Sequence, residues 1–127
     1  MDFVRFHAPH ANARGTFPGV FALANGLRAD GLLSDSDAAW LLNANARATA
    51  AYADPSVTHP DVYDREINPA AEAWFRTTAT HLIDMARDYV ALLGRHSVEC
   101  VETHSDGPGR VLYSDDVQIV VVPHSAS

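Results

Sequence analysis

The heptapeptide Val117–Pro123, VQIVVVP, decides the fold class of this chain. Its apolar residues run on without alternation through 120–122, which indicates a β-strand that is covered on both faces. Two upstream segments, 97–104 (SVECVETH) and 110–113 (RVLY), also have strand-like patterns, and the turn sequences SDGPG and SDD separate the three. The C-terminal quarter therefore predicts an antiparallel β-meander.

A further short strand is predicted at the start of the chain. Residues 1–7 (MDFVRFH) alternate two sets of side chains, with Phe3 and Arg5 on one face and Val4 and Phe6 on the other. A lone strand needs a partner, so we expect it to join the sheet beside the valine strand. The sequence that follows, APHANARGTFPG, predicts a loop because it is rich in Pro, Gly and Asn.

Two helices follow, and their end signals place them. The first begins near Val20 and ends at Gly31, which is typical of a glycine just beyond a helix C-terminus. Ser34 has the residue type of an N-cap, with an acid three positions on, and so begins the second helix. That helix should end before Asp54–Pro55, because the residue before a proline disfavours the helical conformation. We expect the two helices to form an αα-hairpin.

A third, longer helix is predicted after the connection 53–68. Asn68 has the residue type of an N-cap, and Pro69 suits the first helical position. From there an apolar stripe of helical spacing runs to Gly94. Together the elements predict an α+β fold and a single domain spanning residues 1–127. It would have an N-terminal strand, three helices packed on one face of a small sheet, and the C-terminal meander.

Composition and charge exclude several classes of function. The chain of 127 residues has a net charge of −7 at pH 7, and its nine basic residues are all arginines, so it lacks the basic surface that a nucleic-acid binder needs. No apolar stretch approaches the ~20 residues of a membrane span. The opening segment has no apolar leader core and Cys100 is the only cysteine, which favours a reducing, cytoplasmic location. We therefore expect neither nucleic acid nor a membrane as a partner.

The segment 6–15, FHAPHANARG, carries His7 and His10 three positions apart. Such a pair binds zinc only with two further ligands, and the candidates His104 and His124 are expected near opposite ends of the meander. We therefore expect no metal and no other cofactor. Alternatively, His7 or His10 acts as the general base of a small enzyme, if a neighbouring group orients the imidazole. No nucleotide-binding or nucleophile motif accompanies them.

Asn45 occupies an informative position in the second predicted helix. At about 100° per residue, it falls near the centre of the stripe that Leu41, Ala48 and Tyr52 define. A buried amide without partners costs roughly 1–3 kcal/mol, so this side chain needs hydrogen bonds. Two hypotheses follow: the amide holds the backbone of the 6–19 loop, or it faces a small cavity and binds a ligand.

The remaining candidate binding residues are arginines and aromatic side chains. Arg14, Arg65 and Arg110 are the non-helical arginines best placed to meet an anionic ligand, although each can also pair with one of the sixteen acidic residues. Tyr63 lies close to Arg65 in the long connection. Trp74 is expected at the edge of the third helix's stripe, where it either covers the rim of the core or anchors a partner.

Three segments carry a resemblance to known proteins: FHAPHANARGTFPGVFALANGLRADGLLS, VYDREINPAAEAWF and DGPGRVLYSDDVQIVVVP. On these the chain resembles, over nearly its full length, a group of small actinobacterial α+β proteins with no established activity. That resemblance implies a bacterial protein and assigns no catalytic residue. The shorter stretch FHAPHANARG…GLRADGLLS is similar to the His-x-x-His/Asn start and the GLLS sequence of some NAD-dependent ADP-ribosyltransferases. Those enzymes need a catalytic glutamate, which this resemblance would assign to Glu99 or Glu102.

These observations predict a small acidic bacterial module that binds a protein partner or a small molecule. The competing hypothesis is a small enzyme of transferase or hydrolase type. It would use His7 or His10 as a base in a pocket formed by the 6–19 loop, Asn45 and the 53–68 connection. A third hypothesis is a homodimer, in which the valine strand or the third helix completes its burial against a second copy.

Overall fold

A computed structural model describes residues 1–124 of the chain, which form one sheet and four helices. In chain order the elements are β1 (Phe3–His7), α1 (Val20–Ala29), α2 (Asp35–Ala51), α3 (Pro55–Thr58), β2 (Glu72–Arg76), α4 (Thr80–Arg95), β3 (Val101–Ser105), β4 (Gly109–Ser114) and β5 (Gln118–Pro123). The predicted α+β class is confirmed. No helix within this described range is both long and apolar enough to cross a membrane.

The five strands form an open sheet in the order β3-β1-β2-β5-β4, and every neighbouring pair is antiparallel. One apolar core joins Val4 and Phe6 of β1 and Phe75 of β2 to buried residues of α1, α2 and α4. The predicted packing of helices on a small sheet is therefore confirmed. A second, smaller cluster of Trp74, Ile119 and Val121 contains the alternate residues of β2 and β5.

The valine strand is internal, as its uninterrupted apolar pattern predicts. β5 lies between β2 and β4, and all of its residues from Gln118 to Val121 are buried. The strand order nevertheless differs from the prediction. β1 pairs with β2 and β3 and not with β5, and β3 and β4 lie at opposite edges of the sheet. Only β4 and β5 form a hairpin, because an unpredicted strand, β2, occupies the position beside β5.

The prediction of a helix from Asn68 to Gly94 is wrong over residues 68–79. Asn68 and Pro69 belong to a turn, in which the Ala71 N–H donates to the Asn68 carbonyl over 3.2 Å. β2 follows, and α4 begins only at Thr80. The aromatic residues of β2 suit a strand, and pairing with β1 and β5 on both sides outweighs the helical preference of the alanine-rich sequence.

Local chemistry fixes the predicted αα-hairpin. Gly31 has a positive φ of 70°, and its N–H donates to the Arg28 carbonyl, while the Leu32 N–H donates to the Leu27 carbonyl. These two bonds form the Schellman motif that ends α1. The Ser34 hydroxyl accepts from the Asp37 N–H over 3.2 Å and caps α2 as expected.

The seam between β1 and β2 opens along its length, and this opening positions the site. The two strands pair only at Phe3 with Arg76 and at Val4 with Phe75. Further along β1, β3 remains paired on one side, whereas Gly19 forms a bridge with His7 on the side that β2 has left. The separating strands leave a gap within the sheet, beneath the helices.

Candidate functional site

A cavity of about 450 Å³ lies at this opening between β1 and β2. It is bounded by β1 and β2, the first turns of α1, the second half of α2 and the segment that follows α2, and its lining also includes Tyr63 and Gln118. Its lining residues are Val4, Arg5, Phe6, Gly19, Val20, Phe21, Asn25, Asn45, Ala48, Thr49, Tyr52, Ala53, Asp54, Pro55, Tyr63, Ala73, Trp74, Phe75 and Gln118. The cavity is large enough for a small organic molecule.

Three aromatic rings form the apolar wall of this cavity. The ring of Phe75 meets those of Phe21 and Tyr52 edge to face, with centroids 6.2 and 5.5 Å apart. Phe21 and Tyr52 are 6.4 Å apart in a tilted arrangement. Such geometry holds the rings in fixed orientations, and it gives a flat or aliphatic ligand a preformed surface to pack against.

A chain of amide hydrogen bonds runs from the core to the cavity. The hydroxyl of Tyr89, which is only 1% exposed, donates to Asn45 Oδ1 over 2.6 Å. Asn45 Nδ2 then donates to Asn25 Oδ1 over 2.8 Å, and Asn25 Nδ2 donates to the Phe21 carbonyl. Burial raises the pKa of Tyr89 to about 12, so its hydroxyl stays protonated and fixes the orientation of both amides.

Gln118 attaches the segment after α2 to the sheet. This buried side chain lies within β5, and its Nε2 donates to the Ala53 carbonyl over 2.7 Å and to Asp115 Oδ2 over 3.2 Å. Both amide hydrogens are thereby used. Its Oε1 accepts no hydrogen bond from the described residues, and it is an acceptor available to a ligand in the cavity that Gln118 lines.

Arg5 is the cationic group of the first cavity, and its side chain is only 10% exposed. One guanidinium nitrogen, Nη2, donates to the Phe17 carbonyl over 2.7 Å, and Nη1 lies 3.8 Å from Glu72 Oε2. A guanidinium has five N–H donors, so most of them are not used by the described residues. Desolvation lowers the pKa of Arg5, although Glu72 opposes this effect. The side chain remains a cation with spare donors.

A second cavity of about 400 Å³ adjoins the first and shares Arg5, Gly19, Tyr63 and Ala73 with it. Two further arginines, Arg14 and Arg65, line this second cavity. The only carboxylate among its lining residues is Glu72, which also accepts a hydrogen bond from Trp74 Nε1. The structure thus brings three arginines to one cleft of an acidic protein.

Asp54 and Tyr63 also line the first cavity. Asp54 accepts hydrogen bonds from the side chain and backbone of Ser56, and these bonds lower its pKa. It is therefore ionised at neutral pH. Desolvation raises the pKa of Tyr63 to about 12, so this phenol is neutral and can donate a hydrogen bond.

The structure brings together most of the binding residues predicted from the sequence. Asn45, Tyr63 and Trp74 line the first cavity, and Arg14 and Arg65 line the second. Arg110 lies apart, exposed on the edge strand β4. Arg14 and Arg65 form no ion pair with a carboxylate of the described chain.

The environments of Asn45 and Trp74 differ from the predicted ones. The amide of Asn45 is bound by Asn25 and Tyr89 and not by the backbone of the 6–19 loop. Trp74 does not lie on a helix flank with its indole N–H in water. It belongs to β2, is 6% exposed, and donates to Glu72 Oε1 over 3.0 Å.

The two histidines of the opening loop lie outside the first cavity's lining. His7 Nδ1 is 2.7 Å from the Ala8 carbonyl and must donate to it, so a neutral His7 accepts at Nε2 from Thr103 Oγ1, also 2.7 Å away. His10 is exposed.

The two glutamates to which the resemblance would assign catalysis, Glu99 and Glu102, also lie outside both cavities. Glu102 lies on β3, where it contacts Arg87 and His104, and Glu99 is exposed just before that strand. Among residues 1–124, no three histidine, cysteine, aspartate or glutamate side chains are grouped as a metal site.

Sequence analysis missed two residues of the site, although both carried a signal. Arg5 interrupts an otherwise apolar strand, and a charge there needs partners within the fold. Gln118 begins the valine strand, and a polar amide in a buried strand needs hydrogen bonds in the same way. Both residues lie at the cavity.

Comparison with known proteins adds no family to this geometry. No family model, no curated protein and no solved structure matches the chain. The resemblances to small actinobacterial proteins and to ADP-ribosyltransferases therefore stay predictions. The function is argued from the site alone.

Proposed function

We propose that this chain is a binding module for a small organic molecule, which it holds in the cavity between β1 and β2. The observation that carries the proposal is the unused donor capacity of Arg5 in a cavity that three aromatic rings also line. An arginine whose side chain is only 10% exposed, with one hydrogen bond and a 3.8 Å ion pair, is only partly compensated within the protein. A ligand with an acceptor group would compensate it.

The cavity has the composition expected of a small-molecule site. Such sites are mostly apolar and contain a few convergent polar groups that orient the ligand. Here the apolar part comes from Phe21, Tyr52 and Phe75, and the polar part from Arg5 and Asn45. The hydrogen bonds to Asn45 hold it in place before a ligand arrives, which reduces the entropic cost of binding.

This geometry favours a small ligand over a protein partner. The rings of the aromatic wall are covered by the fold and offer little area to a flat protein surface, whereas a small molecule can enter a concave site. Binding, and not catalysis, is proposed because the fixed amides and the neutral tyrosines position a ligand, while Asp54, the one carboxylate among the lining residues, is already hydrogen-bonded by Ser56.

The binding of 1-naphthol, a neutral aromatic probe, tests the proposal. Thr49 lines the cavity and is exposed, so Thr49→Trp places an indole at its mouth without changing the core. Ala50→Trp is the matched control, since Ala50 is exposed on the same helix, does not line the cavity, and lies about 100° further round the axis.

Ligand-observed saturation-transfer NMR should detect saturable binding of 1-naphthol to the wild type and to Ala50→Trp. Thr49→Trp should weaken this binding by about fivefold or more, because the indole occupies the entrance. A ligand of this size is expected to bind with a Kd of about 1 mM or below. The proposal is wrong if the wild type gives no saturable signal, or if the two tryptophan variants bind equally well.

A further inference from the structure

We propose that the natural ligand carries a phosphomonoester group, and that Arg5, Arg14 and Arg65 bind this dianion in the second cavity. The inference rests on the proposed function, because it assigns the apolar body of the same ligand to the first cavity. It goes further in naming the chemical class of the ligand and the residues that select it.

The distribution of charge is the first argument. The chain has a net charge of −7 and nine arginines, so a local excess of positive charge is unexpected. Yet the second cavity is lined by three arginines and a single carboxylate, Glu72, which leaves two net positive charges. A phosphomonoester above its second pKa of about 6 carries two negative charges and would neutralise them, whereas a carboxylate carries only one.

The partners of these arginines are the second argument. Elsewhere in the described chain, three arginines are bound by the protein: Arg76 donates to Asp115 and Ser114, Arg87 pairs with Glu102, and Arg95 pairs with Asp37. The side chains of Arg14 and Arg65 make no hydrogen bond or ion pair with the described residues, and unlike the other arginines without such a partner (Arg28, Arg47 and Arg110) they line one cavity together. Their guanidinium groups are available to bind an anion through paired N–H donors.

The way the two cavities meet is the third argument. Arg5 and Tyr63 line both of them, so a single molecule can pass its apolar body beside the aromatic wall and its charged end beside the arginines. Arg5, which is buried at the junction, would contact the ligand between its two parts. The Tyr63 phenol is protonated and can donate to a phosphate oxygen.

Exposed aromatic rings beside the arginines are consistent with this arrangement. Phe17 and Tyr63, which line the second cavity, are 40% and 42% exposed. The loop of Phe17 is attached to β1 through the bond from Arg5 to the Phe17 carbonyl. A bound ligand would cover these rings, and their burial would add to the affinity.

Three naphthalene probes that differ only in their substituent test the inference. 1-Naphthol is neutral, 1-naphthoate carries one charge and 1-naphthyl phosphate carries two at pH 8. Their affinities would be measured by NMR titration for the wild type, Arg14→Gln and Arg65→Gln. Arg110→Gln is the matched control, since Arg110 is also exposed but lies on β4, outside both cavities.

The phosphate probe should bind the wild type about tenfold more tightly than naphthoate, with naphthol weakest. Arg14→Gln and Arg65→Gln should each weaken the phosphate probe by about three- to fivefold, as expected for exposed charge pairs. Both variants should leave naphthol within about twofold of the wild type, and Arg110→Gln should change neither probe. Raising NaCl from 50 to 300 mM should weaken only the charged probes.

The outcomes separate this inference from the proposed function. If naphthol binds and Thr49→Trp blocks it, but the phosphate probe gains nothing over naphthoate, the binding module stands and the phosphomonoester inference is wrong. The inference is also wrong if Arg110→Gln weakens the phosphate probe as much as the two cavity variants do, because the effect is then one of overall charge. If none of the three probes binds, both proposals are wrong.

Discussion

Replacing Arg5 and Glu72 together by uncharged residues, Arg5→Met with Glu72→Gln, should leave the stability of the fold nearly unchanged and abolish much of the ligand binding. The reasoning is that this largely covered pair serves a ligand and not the fold. Methionine keeps the apolar stem of Arg5. Glutamine keeps an oxygen that can accept the hydrogen bond of Trp74 Nε1.

The expected change in stability follows from opposing terms. At an effective dielectric constant of about 20, two charges 3.8 Å apart attract each other by about 4 kcal/mol. The bond from Arg5 to the Phe17 carbonyl adds about 1.5–3 kcal/mol. Against these stands the desolvation of two ions, at several kcal/mol each. The terms nearly cancel, so the free energy of unfolding of the double variant should lie within about 2 kcal/mol of the wild type.

The single substitution Arg5→Met should be more damaging than the double one. It removes the ion-pair partner of the Glu72 carboxylate, and the side chain of Glu72 is only 16% exposed. We expect a loss of about 2–4 kcal/mol, which Glu72→Gln then largely restores. Arg76→Met is a control of the opposite kind, because Arg76 donates to Asp115 and Ser114 within the protein. Arg76→Met should therefore lower the free energy of unfolding, and adding Glu72→Gln should not restore it.

Urea denaturation followed by circular dichroism gives the free energies, and titration with 1-naphthyl phosphate gives the affinities. The double variant should bind this probe at least about tenfold more weakly, because it lacks the cation shared by the two cavities. The reasoning is refuted if the double variant is destabilised by more than about 4 kcal/mol and still binds the probe as well as the wild type. Arg5 would then be a structural arginine.

Two further predictions concern single contacts. Tyr89→Phe removes the hydroxyl that donates to Asn45 over 2.6 Å and keeps the ring, so it should lower the free energy of unfolding by about 1 kcal/mol. The control is Tyr63→Phe, which should lower the free energy of unfolding by less because the Tyr63 hydroxyl has no partner in the described chain. Equal losses in the two variants would contradict a stabilising role of the Tyr89–Asn45 hydrogen bond. Asp37 has a pKa below its usual range, chiefly because of its hydrogen bond with His96. Its contribution to the free energy of unfolding is therefore fully present above the unfolded pKa of about 3.9 and is lost as the pH falls through the lower folded pKa. In urea denaturation, Asp37→Asn should therefore be less stable than the wild type at pH 6 and nearer to it at pH 3, and an unchanged gap would exclude this linkage.

The parts of the fold that the sequence predicts correctly are those with local chemistry. Gly31 ends α1 because a positive φ is needed there, and Ser34 begins α2 because its hydroxyl accepts a backbone N–H. The uninterrupted apolar run of β5 similarly reports burial on both faces. Each of these signals is contained within a few residues, so it can be read without the rest of the fold.

The errors arise where the secondary structure depends on pairing between strands that are far apart in the sequence. The apolar spacing through Phe75 continues that of α4, and only pairing with β1 and β5 reveals that this residue belongs to a strand. The predicted strand order was wrong for the same reason. Because β2 was not predicted, β5 appeared to be the neighbour of β1. Thr77, Thr78 and Thr80 are evidence against one continuous helix from residue 69 to residue 94, since β-branched residues disfavour a helix.

The candidate site shows the same division between local and distant information. The position of Asn45 on the inner side of α2 could be worked out from helical geometry. One of the two hypotheses drawn from that position was a cavity beside this amide, and the structure has a cavity there. Its partners could not be worked out, because Asn25 and Tyr89 come from two other helices. The convergence of Arg5, Arg14 and Arg65 likewise needs the fold, since three separate segments supply them.

The opening between β1 and β2 is itself difficult to explain by stability alone. A sheet that stayed paired would satisfy more backbone groups and would leave no gap to fill. Instead the seam separates after two residue pairs, and the gap is lined by Arg5, Asn45 and Gln118, whose hydrogen-bonding capacity the protein only partly uses. Departures from stable packing concentrate at functional sites, where binding requires what folding does not. For that reason the double substitution of Arg5 and Glu72, which affects binding and stability differently, tests whether Arg5 serves a ligand more directly than any change in the core does.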